Sequence, residues 1–192
     1  MAPALDITRT SNNEPVIRRL WWSERGKWRD HLLRLAPGDR RDRFSGLVSD
    51  AFIEQYCSAA NPFSVILYGA FVDGELRAVG ELVMLDRESP RRAELAFSVE
   101  EGWQNRGLGT ELFRRLVIYA RNRTVSRVYL ISEPGNGRMQ HIARNFGMVL
   151  GAEDGELTGR LELLAPSYFT VVEQLLEEGM AWFRSAPAVT GH

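Results

Sequence analysis

Hydrophobic and polar positions follow two different periods along the first half of the chain. The segments SERGKWRDHLLRL and SDAFIEQYCSAA place apolar side chains three and four residues apart, which predicts two amphipathic helices. In FSVILYGAFV and AELAFSVE, apolar side chains run continuously or occupy every second position, as is typical of strands. EPVIRRLWW is predicted to be an earlier strand. With a further strand between the last two, this half reads as a strand, two helices and three antiparallel strands.

Helices and strands alternate in the second half of the chain. Its clearest helix is GLGTELFRRLVIYARNR, in which apolar side chains four residues apart form one stripe. The strand VSRVYLIS follows, and then a helix over NGRMQHIARNFG. Two more strands and an amphipathic helix, SYFTVVEQLLEEGMAWF, complete the predicted order.

The order of these elements predicts the fold class. Consecutive strands joined by an Asp-Gly hairpin signal at VDGEL come first, and strands separated by crossover helices come later. This order implies an α/β (α+β) fold with a mixed, mostly antiparallel sheet of six to seven strands flanked by helices. We predict a flexible N-terminus over residues 1–13, one domain over residues 14–165, and a C-terminal helix and tail over residues 166–192.

Composition narrows the possible classes of function. A chain of 192 residues with 44% hydrophobic residues can form one domain with a substantial core. Its net charge of −1 creates no strong field for nucleic acid or an anionic membrane, and we expect neither partner. The single cysteine, Cys57, cannot form an internal disulfide, which favours a reducing compartment such as the cytoplasm. We expect no signal peptide or membrane span, and the few scattered histidines predict no metal site.

The stretch WQNRGLGTEL places two glycines between a predicted strand and a predicted helix. The first amide groups of a helix lack internal partners and carry partial positive charge, so a phosphate fits there. Gly107 and Gly109 would allow close backbone approach, while Arg106 adds charge and Thr110 a hydroxyl. The G-x-G-x-x-G dinucleotide pattern is not met, because its third glycine is missing. From these residues alone, phosphate binding, close packing on a neighbouring element and a simple turn remain alternatives.

The loop sequence GlnAsnArgGlyLeuGly, residues 104–109, resembles the Q/R-x-x-G-x-G/A pyrophosphate loop of the GNAT superfamily of N-acetyltransferases. The order of elements is similar to that fold over residues 14–165. Asn136, followed eleven positions later by Gly147, resembles the end of the acetyl-CoA region of that superfamily. The resemblance implies acetyl-CoA as the acyl donor and transfer of its acetyl group to a primary amine by direct attack.

The resemblance also implies which residues would hold acetyl-CoA. Backbone amides of the loop would surround the pyrophosphate. The end of the strand AELAFSVE would splay from its neighbour and pair with the pantetheine arm, and one of its amides would polarise the thioester carbonyl. The cofactor-binding residues implied in this way are Phe97, Ser98, Val99, Gln104, Asn105, Arg106, Gly107, Leu108, Gly109, Thr110 and Asn136.

Acetyl transfer to an amine needs a general base, because an ammonium group with a pKa of about 10 must lose a proton before it attacks. Glu94 is the candidate, since it lies just before the cofactor-binding strand residues and alternates away from Leu95 and Phe97. A carboxylate beside an apolar cleft has a raised pKa, which suits a base. Its position resembles that of the catalytic glutamate of bacterial protein lysine acetyltransferases. A solvent-facing glutamate, or one paired with an arginine, is the alternative.

Two further features bear on the acceptor. The arginine-rich segment Arg40-Arg41-Asp42-Arg43-Phe44 resembles a segment that follows the first helix in protein lysine acetyltransferases. Ala143 stands where many GNAT enzymes have a tyrosine that protonates the leaving thiolate, and the protein lysine acetyltransferase branch often lacks this tyrosine too. The proton donor is therefore open, with Tyr168 and Ser132 as candidates. The predicted acceptor is a protein lysine, with a small-molecule amine as the next choice, in a monomer or homodimer. A non-catalytic acyl-CoA-binding regulatory module is the alternative from another class.

Overall fold

The computed structural model describes residues 14–86, 91–153 and 156–185. The described strands are β1 (Val16–Arg19), β2 (Val65–Val72), β3 (Glu75–Met84), β4 (Arg91–Val99), β5 (Val125–Ser132), β6 (Val149–Glu153) and β7 (Glu156–Glu162). The α-helices are α1 (Arg25–Arg34), α2 (Pro37–Phe44), α3 (Asp50–Ala59), α4 (Leu108–Asn122), α5 (Gly137–Asn145) and α6 (Tyr168–Ser185). Residues 1–13, 87–90, 154–155 and 186–192, which include the predicted flexible N-terminus and the predicted tail, lie outside the described residues.

All seven described strands belong to one sheet in the order β1-β2-β3-β4-β5-β7-β6. Neighbouring strands are antiparallel except β4 and β5, which are parallel because α4 crosses between them. The predicted mixed, mostly antiparallel sheet is therefore confirmed. Three α-helices connect β1 to β2, and a tight turn at Asp73-Gly74 connects β2 to β3. The parallel pair of β4 and β5 lies in the centre of the described sheet.

Helices cover both faces of the sheet. On one face, α1 and α3 enclose a core that includes Trp28, Leu32 and Ile53, none of which is exposed. On the other face, α4 buries the predicted stripe, including Leu112 and Leu116. Burying a leucine or tryptophan side chain contributes about 1.5–3 kcal/mol, so this packing, more than helix propensity, fixes both helices on the sheet.

Helix α2 forms from PGDRRDRF, which has no apolar stripe of its own. Pro37 at its first turn fixes a helical φ, and the helix ends at Ser45 in a left-handed conformation. Arg40 ties it to α3 through Asp50, at 2.6 Å, and donates to the carbonyl oxygen of Leu33. Contacts with the rest of the chain therefore hold this short charged helix in place.

A fully buried carboxylate, Glu81, anchors α2 to the sheet. Its Oε1 lies 2.7 Å from Arg43 Nη2 and accepts from Trp28 Nε1 at 3.2 Å, and its Oε2 accepts from the Tyr56 hydroxyl at 2.8 Å. The Arg43 side chain is also largely buried. Burial by itself would lower the pKa of Arg43, but Glu81 and Tyr56 raise it on balance. Three helices, α1, α2 and α3, thus meet β3 at one charged group.

Helix α6 packs against α4 and β1. Ala181 is buried in this contact, the Tyr68 hydroxyl donates to Glu178 at 2.6 Å, and Asn122 donates to the carbonyl oxygen of Thr170 at 2.9 Å. Its outer face exposes large apolar side chains, among them Tyr168, Phe169, Leu175, Leu176 and Met180. None of the helices within the described ranges is both long enough and apolar enough to span a membrane.

Candidate functional site: the cleft between the central strands

The two parallel strands at the centre of the sheet separate before they end. Their pairing stops at Leu95 and Leu130, although β4 continues to Val99 and β5 to Ser132. Beyond this point β4 still pairs with β3 on its other side. The backbone groups of β4 that point toward β5 therefore face an opening, in agreement with the splay expected from the sequence.

A cleft of about 500 Å³ extends from this opening to the N-terminus of α4 and to α5. Predicted cofactor-binding residues that line it are Phe97, Ser98, Val99, Gln104, Asn105, Gly107, Gly109, Thr110 and Asn136. Side chains that sequence reasoning did not assign also line it, namely Asp39, Asp42, Trp103, Arg138, Met139, His141 and Ile142. The segments that supply them are distant in the chain, so only the fold brings them together.

Two predicted cofactor-binding residues and the predicted base lie outside the lining of the cleft. Leu108 is the first residue of α4, and its side chain is buried in the core. The Arg106 guanidinium stacks on Trp103, 4.6 Å from the ring centre. Contact of these two residues with a cofactor would therefore involve their backbone amides, and the Arg106 side chain would support Trp103.

The loop before α4 presents the start of that helix to the cleft. Asn105 and Gly107 both have positive φ values, +58° and +78°, which turn the chain sharply into the helix. Gly107 occupies the N-cap position, and no side chain caps the helix there. The first amide groups of α4 therefore have neither a helical partner nor a capping side chain, and an anion would fit beside them.

The second glycine of the loop has a different role. A Cβ atom on Gly109 would lie 3.2 Å from Ile142 Cδ1, whereas one on Gly107 would meet nothing within 4 Å. Gly109 thus permits α4 and α5 to approach closely, and Gly107 permits the turn. Close packing, one alternative from the sequence, therefore applies at Gly109, whereas phosphate binding beside Gly107 stays a prediction.

Gln104 connects the loop to its surroundings. Its Nε2 donates to Asp39 Oδ1 at 2.7 Å and to the carbonyl oxygen of Val99 at 3.1 Å, while Arg138 donates to its Oε1. The Gln104 side chain thereby joins the loop to α2, β4 and α5. Arg138 lines the cleft and its side chain is half exposed, so its guanidinium could bind a negatively charged group of a cofactor.

Asn136 begins helix α5 at the edge of the cleft. Its side-chain Oδ1 accepts from the backbone N–H of Met139 at 3.0 Å, which is an N-cap interaction. This leaves the Nδ2 amide as the donor for a cofactor contact. Among the described residues, no group of three or more His, Cys, Asp or Glu side chains is placed to hold a metal ion.

Glu94 lies on β4, opposite Val83 of β3 and beside Tyr129 of β5. It is half buried, and burial raises the pKa of its carboxyl group, an effect that the charge of Arg43 opposes and Glu81 reinforces. Strand alternation places it on the same face as Ser98, which lines the cleft. The raised pKa matches the expectation for a base.

The arginine-rich segment and Ala143, the two features that the sequence analysis related to the acceptor, are both described by the structure. Within the arginine-rich segment, Arg43 is paired with buried Glu81, Arg40 with Asp50, and exposed Arg41 lies 3.8 Å from Glu133. These arginines hold α2 in place, which sequence reasoning did not anticipate. Ala143 is fully buried on the inner face of α5, and its methyl group cannot donate a proton to the CoA thiolate.

Comparisons with known proteins identify the family. Residues 17–148 match the acetyltransferase (GNAT) family, and the chain belongs to it. An acetyltransferase of Pseudomonas aeruginosa is 28% identical over 158 residues, which cover 78% of this chain and 83% of that protein. The predicted enzyme class, an N-acetyltransferase with acetyl-CoA as its acyl donor, is thereby confirmed.

Solved structures show the same fold at low sequence identity. The GNAT domain of PAT from S. lividans superposes with a TM-score of 0.65 at 19% identity, covering 77% of this chain and 89% of that one. The PaiA N-acetyltransferase from Thermoplasma acidophilum, solved in complex with coenzyme A, gives 0.58 at 13% identity, covering 78% and 99%. The predicted GNAT-like fold is therefore confirmed.

Proposed function

We propose that the chain transfers the acetyl group of acetyl-CoA to a lysine side chain of a protein, with Glu94 as the general base. One observation carries the proposal. The cleft begins where β4 leaves β5 and reaches the uncapped start of α4, so it joins an open strand edge to an anion site. A cofactor with a thioester at one end of a flexible arm and a pyrophosphate at the other matches both.

In this proposal the pantetheine arm pairs with the backbone of Phe97 and Val99, and the pyrophosphate lies against the amides of residues 107–110. Arg138 adds a charge-assisted contact to the phosphates, and Asn136 donates its Nδ2 amide. An amide of β4 polarises the thioester carbonyl. Trp103, with the Arg106 guanidinium stacked on its ring, forms the outer wall of the cleft.

Glu94 would take the proton from the acceptor ammonium. Burial raises the pKa of its carboxyl group, which makes the carboxylate a stronger base, and in this proposal its place on β4 lies near the thioester end of the cofactor. Because Glu94 lies outside the lining of the cleft, we propose that it acts through a water molecule. Mutation of this residue should then change turnover much more than acetyl-CoA affinity.

Helix α2 contributes two carboxyl groups to the cleft. Asp39 and Asp42 line it from α2, and burial raises the pKa of Asp42 although Arg138 opposes the effect. Carboxylates at this position favour a cationic acceptor such as an ammonium group. Similarity to the GNAT domain of S. lividans PAT supports a protein lysine, and a small cationic amine is the second candidate.

The test combines binding with turnover. Calorimetry with acetyl-CoA is repeated on Glu94→Gln and on Glu75→Gln, a matched change at an exposed glutamate of the β2–β3 hairpin. CoA release is then measured with lysine-containing proteins and with small amines. We expect Glu94→Gln to reduce turnover about a hundredfold or more with unchanged acetyl-CoA affinity, while Glu75→Gln behaves as wild type.

Other results would change the proposal at defined points. Full turnover by Glu94→Gln would remove Glu94 as the base. Acetyl-CoA binding without turnover of any amine would favour the non-catalytic regulatory module. Turnover of small amines alone would replace the protein lysine as acceptor.

A further inference from the structure

A chain of three polar side chains runs inward from the cleft. Ser98 lines the cleft, and its Oγ lies 2.9 Å from Nε2 of His31 on α1. The other ring nitrogen, Nδ1, lies 3.2 Å from Oε1 of Glu100. His31 is fully buried and Ser98 nearly so, which means that no bulk water competes for these contacts. Sixty-seven positions separate His31 from Ser98, so no local sequence pattern predicts this arrangement.

The partners determine where the protons are. A carboxylate only accepts hydrogen bonds, so His31 must carry a proton on Nδ1 and donate it to Glu100. In the neutral ring Nε2 is then an acceptor, and the Ser98 hydroxyl donates to it. Arg34 and Arg77 also bind Glu100, at 2.8 and 2.9 Å, and fix its carboxylate in this position. Burial by itself would raise the pKa of Glu100, but the hydrogen bonds from His31, Arg77 and Arg34 outweigh it and lower the pKa to about 2.

This order of groups is one that can move a proton. The serine lines the cleft, an imidazole can accept a proton from its hydroxyl, and the carboxylate orients the ring. Ser98 lies between Phe97 and Val99, the two residues proposed to pair with the pantetheine arm. The buried Ala143 offers no proton donor for the leaving thiolate.

We infer that Ser98 is the catalytic residue that protonates the leaving thiolate, while His31 holds and returns the proton and Glu100 positions His31. The inference rests on the proposed function of the cleft and completes it. Glu94 prepares the neutral amine, and the chain from Ser98 to Glu100 moves protons during attack and during departure of the thiolate.

The protons balance in two steps. As the amine nitrogen bonds to the thioester carbon, its additional proton passes to Ser98 Oγ, and the original hydroxyl proton of Ser98 passes to His31 Nε2. As the carbon–sulfur bond then breaks, the Ser98 hydroxyl gives a proton to the CoA sulfur and recovers one from His31. The products are the amide and the CoA thiol, and Ser98, His31 and Glu100 return to their starting state. The proton that Glu94 took from the ammonium group passes to solvent.

Two variants test the role of this chain. Ser98→Ala removes the hydroxyl, and His31→Gln keeps a hydrogen-bond acceptor for Ser98 but cannot hold the proton. We expect each to lower kcat about a hundredfold, with the acetyl-CoA Kd and both KM values within twofold of wild type. The double variant should be no slower than the slower single variant, because the two residues act as one unit. Ser126→Ala, which removes a hydroxyl that donates only to the Arg91 carbonyl oxygen at the far end of β5, is the matched control and should keep wild-type kcat.

The outcomes separate this inference from the proposed function. Wild-type kcat in either Ser98→Ala or His31→Gln would overturn the relay while leaving the acetyltransferase activity intact. An acetyl group found on Ser98 by mass spectrometry after incubation with acetyl-CoA alone would overturn it in favour of a serine nucleophile. Failure of the wild-type protein to turn over any amine would instead refute the proposed function. Thermal unfolding of each variant shows whether a loss of kcat reflects a loss of folded protein.

Discussion

The buried carboxylate on β3 leads to the most quantitative prediction. Glu81→Gln keeps the shape of the side chain and removes its charge, which leaves the Arg43 guanidinium without a counter-charge. Glu81 is not exposed at all, and the Arg43 side chain is 8% exposed. Removing one partner from such a buried pair costs about 3–5 kcal/mol, because the remaining charge stays desolvated. We expect this loss of folding free energy in the variant.

The same figure can be expressed as a melting temperature. For a chain of this size, 1 kcal/mol corresponds to about 2–4 °C, so Glu81→Gln should lower the Tm by about 6–20 °C. Urea unfolding at 25 °C, followed by circular dichroism, gives the free energy directly. The matched control is Glu162→Gln, whose partner Arg127 lies 2.5 Å away but whose side chain is 55% exposed. An exposed pair contributes about 0–1 kcal/mol, so the control should shift Tm by less than about 4 °C.

The result also bears on the site, because Arg43 fixes the helix that carries Asp39 and Asp42 to the cleft. We therefore expect a raised KM for the acceptor in Glu81→Gln below its Tm. Equal losses of stability in the two variants would refute the reasoning, since burial would then have no effect on the strength of the pair.

Three further predictions follow from individual residues. Gly107→Ala forces an alanine to φ +78°, which costs about 1–2 kcal/mol, so calorimetry should show acetyl-CoA binding at least severalfold more weakly. Gly26→Ala is the control, and an equal acetyl-CoA affinity of the two variants would contradict the role of this turn. The pKa of Glu100 falls from 4.5 to about 2 on folding, so its stabilising contribution is complete above pH 4.5 and is lost as the pH falls toward 2; acid titrations should show this slope in wild type and a shallower one in Glu100→Gln. Burial raises the pKa of the Cys57 thiol to about 12, so it should resist a thiol reagent at pH 8 until urea unfolds the chain, and rapid labelling of the native protein would refute its buried position.

Local patterns predicted most of the fold. The stripe on α4 and the alternation on β4 depend on spacing along the chain, and both appear in the structure as expected. The helix α2 was harder to predict, since its charged sequence has no apolar period and depends on Glu81, thirty-eight residues from Arg43. A buried ion pair joins two positions that have no local relation, so no window of sequence reveals it.

The candidate site was predictable to the extent that it consists of one continuous loop. Gly107 and Thr110 line the cleft as expected from the motif. Arg138 and His31 were not assigned, because a side chain becomes relevant to the cleft only after α1 and α5 have packed on the sheet. The role of Glu94 stays a prediction that the turnover experiment tests.

The early separation of β4 from β5 has an evolutionary consequence. If the pantetheine arm takes the place of a missing strand, the protein recognises it through main-chain groups that every amino acid possesses. Side chains along this edge can then change without loss of the acyl donor, while the acceptor side adapts to new amines. The fold persists at 13–19% sequence identity, as such a division would allow. The backbone path and its few glycines must be kept, whereas the residues that set acceptor specificity can change.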